Sequence, residues 1–384
     1  MLRRILIEGL FGHQTHDLTL PPQEPVLLLH GENGVGKSTL LEAVSYTQNQ
    51  QWQALGTLPF EHLQLEVEPG AGASEGSGSA TLKVTREVPQ SSKPFEGVLR
   101  LILEHAGEVT QELEWPINWG PSGGSGSPAF PTPDWLQEWC REHPVLLLGS
   151  DRLSGPSGRA ILQCAESMRS LLSKTLDQLL HESLAQDFRF LGTLGSLPEA
   201  QDVEELQQRL AQLRELIAEL NRLGVLEEME LPDQLPALAP EQLPLVQAYI
   251  DQQLGKFSGL LMLRDRARQM LKLLHRRLRL KQVRLDRNLG YAVELPSGQL
   301  LPLDRLSSGE QHLIVLWHRL LFDTNPQTLV LLDEPELSWH VEWQYAFIDD
   351  LLHLAELTGG RFLVATHSPQ IVGNHWDRTL EITV

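Results

Sequence analysis

Pro25-Val26-Leu27-Leu28-Leu29-His30 runs directly into Gly31-Glu32-Asn33-Gly34-Val35-Gly36-Lys37-Ser38. The first stretch is almost wholly apolar, as a strand covered on both faces has to be, and Lys37 to Ser45 continues as a helix. A strand, a loop of spacing G-x-x-x-x-G-K-S and a helix start together make a phosphate cradle. Glycines let backbone N–H groups wrap the β-phosphate, and the positive end of the helix adds to the pull. Gly31, Asn33, Gly34, Gly36, Lys37, Ser38 and Thr39 are therefore candidate nucleotide contacts. Lys37 is expected to reach the β- and γ-phosphates and Ser38 to sit on Mg2+, so ATP and Mg2+ are the expected cofactors.

Two further apolar strands end in chemistry. Leu329-Val330-Leu331-Leu332 delivers Asp333 and Glu334 to its C-terminal edge, where ligands bind in a parallel α/β sheet. Asp333 is the candidate metal ligand and Glu334 the candidate for orienting or deprotonating an attacking water. Arg361 to Ala365 leads into Thr366-His367-Ser368-Pro369, which places His367 to meet a γ-phosphate. Glu334, His367 and Lys37 are the expected catalytic set.

Working outward, residues 2–8 and 15–20 read as strands, and alternating segments from Phe60 to Trp115 as an antiparallel sheet. Gly/Ser-rich runs at 70–79 and 120–128 are expected surface loops. From about Arg159 to Arg287 the pattern is helical. Val203, Leu206, Leu210, Leu213, Ile217 and Leu220 form a short heptad seam, with a matching series at Leu260, Leu263, Ala267, Met270 and Leu274. A Pro-rich connection, 232–244, would reverse the chain between them into an antiparallel hairpin. Strand signals return at 290–295 and 300–303. The expected organisation is an N-terminal lobe over 1–158, a helical insertion over 159–287 and a C-terminal lobe over 288–384.

The net charge of −19 opposes any whole-surface attraction to nucleic acid. Against that average, residues 264–287 hold ten of the 31 Lys and Arg and only two acids, about +8, read as one basic helix. Arg276, Arg277 and Arg279 are its candidate DNA or partner contacts. No apolar run reaches the ~18 residues of a membrane span, and Leu2 to Leu10 is too short and too charged for a signal peptide. With Cys140 and Cys164 in no metal-ligand spacing, the expectation is a cytoplasmic protein with no membrane partner.

Leu306-Ser307-Ser308-Gly309-Glu310-Gln311 resembles the signature of the ABC ATPase class, whose serine and second glycine address the γ-phosphate held by the opposite subunit. Ser307 and Gly309 take those positions. With Asp333-Glu334-Pro335-Glu336-Leu337-Ser338 and Ala365-Thr366-His367-Ser368-Pro369-Gln370, the chain resembles the RecF, OLD and SMC-like branch, of AAA_15/AAA_21 type. Within it, the likeness is to stand-alone ATPases of bacterial anti-phage systems of the PARIS and Septu kind. The resemblance implies an α/β fold: an ABC-type P-loop head, with a mixed sheet and an antiparallel β subdomain, interrupted by a helical arm. It also implies a homodimer or higher homo-oligomer that hydrolyses ATP in composite sites and controls a separate effector, of TOPRIM or HNH nuclease type. A RecF-like clamp on DNA is the alternative.

The OLD pattern continues into a TOPRIM domain, whereas this sequence runs 16 residues past Ser368, hence the expectation of a separate nuclease. Where the class carries a glutamine-bearing loop, this sequence has Ser150-Asp151-Arg152, making Asp151 or Arg152 the candidate equivalent.

Overall fold

The computed structural model describes residues 1–68, 79–87, 96–118, 132–149, 159–193, 203–226, 231, 233, 239–337 and 339–383. They form two compact units, Met1–Leu153 with Asp323–Val384, and Ser154–Phe322. The fold is mixed α/β, and among the described residues no helix is long and apolar enough to cross a membrane.

In chain order the strands of the first unit begin with β1 (Leu2–Leu10), β2 (Gln14–Thr19) and β3 (Val26–His30), followed by helix α1 (Lys37–Gln48). Then come β4 (His62–Val67), β5 (Ala80–Glu87), β6 (Glu96–His105), β7 (Glu108–Asn118) and β8 (Val145–Gly149). The second unit supplies α2 (Arg159–Thr193), α3 (Val203–Arg222), α4 (Leu243–Ser258) and α5 (Leu261–Arg277). It continues with β9 (Gln282–Asp286), β10 (Gly290–Glu294), β11 (Leu300–Leu301) and α6 (Ser308–Phe322). The chain returns to the first unit with β12 (Leu329–Asp333), α7 (Phe347–Thr358), β13 (Arg361–Ala365) and β14 (Thr379–Glu381).

Two sheets build the first unit. The antiparallel one has the order β2-β1-β4-β5-β6-β7, and alternation along β2 and β4 turns Leu18, Leu63 and Leu65 inward. The other has the order β14-β3-β13-β12-β8 and is parallel throughout. Its inner strands read Val-Leu-Leu-Leu, Leu-Val-Leu-Leu and Phe-Leu-Val-Ala because both faces are covered. Leu27, Leu29, Leu331 and Leu363 from this sheet meet Ile5, Ile7, Leu65 and Leu82 from the other, with Leu40, Leu41 and Val44 of α1 in the same core. Each fully buried side chain of this kind contributes about 1.5–3 kcal/mol.

Register decides what the core positions. Ala365 pairs with Leu29 on one side and Asp333 on the other, and Asp333 pairs with Gly149. One row therefore crosses the C-terminal ends of four strands, and the loops that leave it carry the sequence motifs.

In the second unit Leu206, Leu210, Leu213, Ile217 and Leu220 of α3 are buried, as the seam predicts, while Val203 at its start is exposed. The hairpin expectation needs correction. Past the connection the chain enters α4, and it is α4 that packs along both α3 and α2. Helix α5 meets α3 through ion pairs of Glu219 with Arg264 and Arg268. The single basic helix over 264–287 is also overturned: α5 stops at Arg277, and Arg284 lies on β9, where it alternates with buried Val283 and Leu285. Period-two burial outweighs the charge run there.

Candidate functional site

The glycine loop leaves β3 against the rest of the parallel sheet. A Cβ on Gly31 would lie 2.4 Å from the carbonyl oxygen of Ile382, so no larger residue fits. Gly36, the N-cap of α1, has φ +86°, which L-residues with a Cβ avoid, and its Cβ would meet Leu10 Cδ2 at 2.3 Å. Among the described residues no side chain caps this helix. Its first-turn N–H groups are left for an anion at the positive end of the dipole. Buried His16 closes the loop from behind, with Nε2 at 2.7 Å from the Val35 carbonyl.

Lys37 is almost fully buried, and its Nζ donates to the carbonyls of Gly31 (2.9 Å) and Glu32 (2.8 Å). Burial lowers its pKa, against the opposing pull of Glu334 and Asp333. The next side chain, Ser38, donates from Oγ to Oδ1 of Asp333 at 3.0 Å, joining the loop to the end of β12. Burial, with Glu334 and Glu42 nearby, pushes the Asp333 carboxyl up to about 6, although the Ser38 hydroxyl works the other way. Among the described residues no group of three or more His, Cys, Asp or Glu is placed to hold a metal alone. One hydroxyl and one carboxylate fit Mg2+, which takes oxygen ligands and keeps several from water and phosphate.

Glu334 follows with φ +47°, a left-handed conformation held by its own N–H, which donates to the Ala365 carbonyl at 2.9 Å. Its Oε1 stands 3.4 Å from Nε2 of His367. The other ring nitrogen, Nδ1, is 3.4 Å from Lys37 Nζ. Burial and the Lys37 charge lower the pKa of His367, and Glu334 opposes them. The shift favours the neutral imidazole, which can donate from one ring nitrogen and accept at the other. Asn33 is exposed on the loop and Thr39 half-buried on α1.

The structure brings together Lys37, Ser38, Asp333, Glu334 and His367 in the first unit. Ser307 and Gly309 lie in the second unit, at the start of α6. There Glu310 accepts from the Ser307 amide (2.8 Å) and hydroxyl (2.9 Å), and from Lys281 Nζ through both oxygens, at 2.6 and 2.7 Å. Although burial acts the other way, Lys281 and Ser307 hold the Glu310 carboxyl below its usual range. Asp151 and Arg152 lie outside the described residues.

The basic segment is largely spoken for. Arg264 is paired with Asp265, Arg268 with Glu219, Lys281 with Glu310 and Arg284 with Asp286, while Arg287 donates to the Val225 carbonyl. Arg277 is buried, with its guanidinium 5.5 Å from the centre of the Trp317 ring, which corrects its place among the candidate DNA or partner contacts. Sequence reasoning missed Lys281 and Glu310 as the support of Ser307, and His16 as the support of the loop. It also passed over Glu336 and Thr366; the third carboxylate of Asp333-Glu334-Pro335-Glu336 was the available signal.

A protein-family profile described as "AAA domain, putative AbiEii toxin, Type IV TA system" matches residues 26–373. UvrABC system protein A of Chlamydia pneumoniae is 42% identical over 78 residues, which are 20% of this chain and 4% of that protein. The chain thus matches only a small part of that relative's length. Among solved structures, an Smc head bound to the C-winged helix domain of ScpA aligns at TM-score 0.47 and 10% identity, covering 100% of this chain and 94% of that one. The SMC head domain from Thermotoga maritima aligns at TM-score 0.42 and 12% identity, covering 100% and 94%. The family span opens on the strand that feeds the glycine loop, passes the His367 turn and takes in Lys37, Ser38, Ser307, Asp333 and Glu334, and the chain belongs to this AAA domain family of nucleotide-binding ATPases.

Proposed function

We propose that the protein binds ATP with Mg2+, hydrolyses it slowly, and uses the nucleotide to bring two copies together as a switch on a separate effector. One observation carries this: Ser38 and Asp333 share a hydrogen bond while Glu334, His367 and Lys37 converge beside them at the ends of parallel strands. Ser38 and Asp333 would hold the metal, whose part is to neutralise phosphate charge. Lys37 would exchange the carbonyls of Gly31 and Glu32 for phosphate oxygens. Glu334 would orient the attacking water or take its proton, and His367 would sense the γ-phosphate. Ser307 and Gly309 would complete the site of a second copy.

Control of an effector in anti-phage defence is supported by the motif resemblance to stand-alone defence ATPases. It is in keeping with a family description that names a putative AbiEii toxin of a Type IV TA system. A clamp on DNA has less to stand on, because Glu219, Asp265, Glu310 and Asp286 already pair with cations of the basic segment. The test is sedimentation of Glu334→Gln with and without ATP and Mg2+. ATP-dependent association that persists because hydrolysis is blocked supports the switch; a species that stays monomeric at saturating ATP overturns it.

A further inference from the structure

The turn that carries His367 is held from beneath by a second carboxylate. Thr366, fully buried, donates from Oγ1 to Oε1 of Glu336, and the same Oγ1 accepts the Ser368 N–H at 2.9 Å. The backbone N–H of His367 also faces the Glu336 carboxylate. Thr366 and Glu336 are thus the middle of a chain of bonds that enters and leaves the histidine on both sides.

Glu336 is itself fixed to the loop of the other carboxylates. Its carbonyl accepts from the Trp339 N–H at 2.9 Å, and the Glu334 carbonyl accepts from the Leu337 N–H at 3.2 Å. The Glu334 N–H in turn donates to Ala365, the residue just before Thr366, at 2.9 Å. Meanwhile Oε2 of Glu336 is buried without a hydrogen-bond partner among the described residues, an arrangement that an apolar side chain would avoid. A half-satisfied carboxylate beneath a catalytic turn is unfavourable for stability alone. It is explained when the carboxylate fixes geometry, because the His367 ring stands at 3.4 Å from both Glu334 and Lys37, and a small rotation would break both approaches.

We propose that Glu336 is a positioning residue for His367, acting through the Thr366 hydroxyl and the His367 amide to hold the ring against Glu334 and Lys37. This rests on the hydrolytic role proposed for that site. Glu336 does not touch the reacting atoms; it sets where the imidazole can be.

Steady-state ATP turnover of Glu336→Ala, Glu336→Gln, Thr366→Val and Thr366→Ser tests the assignment. Glu336→Ala and Thr366→Val are expected to lower kcat by about 10–100-fold with KM for ATP within about twofold, the usual scale for loss of an outer support. Glu336→Gln keeps a carbonyl oxygen for Thr366, and Thr366→Ser keeps the hydroxyl, so both should recover most of the rate. An NMR titration of the His367 imidazole in nucleotide-free protein needs no hydrolysis: Glu336→Ala and Thr366→Val should move it back toward the ordinary histidine value. Unchanged turnover and unchanged titration in those two variants would overturn the assignment. So would parallel losses of melting temperature and ATP affinity, the mark of a merely structural role. A parent protein that does not hydrolyse ATP sinks the proposed function instead, and the imidazole titration then decides the positioning claim by itself.

Discussion

Oε1 of Glu334 and Nε2 of His367 stand 3.4 Å apart although 33 positions separate them in the chain. Register produces this: Asp333 and Ala365 are paired neighbours on β12 and β13, so the two following turns rise side by side. The approach is a little longer than a hydrogen bond, as expected of a pair whose proposed role would tighten it only around substrate.

His367→Ala should therefore slow ATP turnover by about 10–100-fold while leaving nucleotide affinity within a few-fold. Comparing kcat with the Kd for a fluorescent ATP analogue checks this. Equal losses in both would assign His367 to ground-state binding instead.

Asp333 sets a pH dependence. Its folded pKa of about 6 is above the ordinary aspartate value, so the folded protein takes up this proton more readily than the unfolded chain. Ionising Asp333 therefore costs stability as pH rises from about 4 through 6, and acidification across that window relieves the cost. Metal binding at Asp333 would run the other way, because it would require the carboxylate. Calorimetric titration of Mg2+ and ATP should show affinity for the metal complex steady above pH 7 and falling about tenfold per unit below 6. A flat profile between pH 5 and 8 would remove Asp333 from the metal's ligands.

Lys281→Met leaves the Glu310 carboxylate, only 14% exposed, without its cation. Thermal unfolding should show a loss of about 1–3 kcal/mol, the cost of stranding a buried polar group. Restoring the balance with Lys281→Met and Glu310→Gln together should recover part of it; additive losses in the double variant would mean that the two side chains do not interact.

Gly36→Ala combines a left-handed φ with a close contact on buried Leu10. A cost of at least ~1–2 kcal/mol in unfolding free energy follows from the backbone alone. Nucleotide binding should fall with it, since the loop N–H groups are aimed by that conformation; tight ATP binding by the variant would argue against the cradle.

What could be read from the sequence was what is local. β3, β12 and β13 are short apolar runs that end in Gly31, Asp333 and Thr366, and a parallel strand buried on both faces leaves that mark. That Glu336 would bond Thr366 was not legible, although the carboxylate itself stood in the motif, because the two meet across 30 positions. Lys281 reaches Glu310 across 29 for the same reason. The basic segment misled for a related cause: counting charges cannot show that Glu219, 49 positions before Arg268, would pair with it. Helix α4 was absorbed into an expected hairpin because the seam of α3 can be matched equally well to any apolar stripe that follows.

If each ATP site is shared between copies, two chains defective in different halves of the site should complement each other when mixed. Lys37→Ala lacks the phosphate lysine and Ser307→Arg lacks the signature serine, so neither should hydrolyse ATP alone. In a mixed pair one site combines the intact Lys37 of one chain with the intact Ser307 of the other. Turnover of the mixture should recover to roughly a quarter of the parent rate, from half of the pairs carrying one of two sites. A mixture as inactive as its components, or a Ser307→Arg chain that hydrolyses ATP as a monomer at the parent rate, would rule out a site shared between copies.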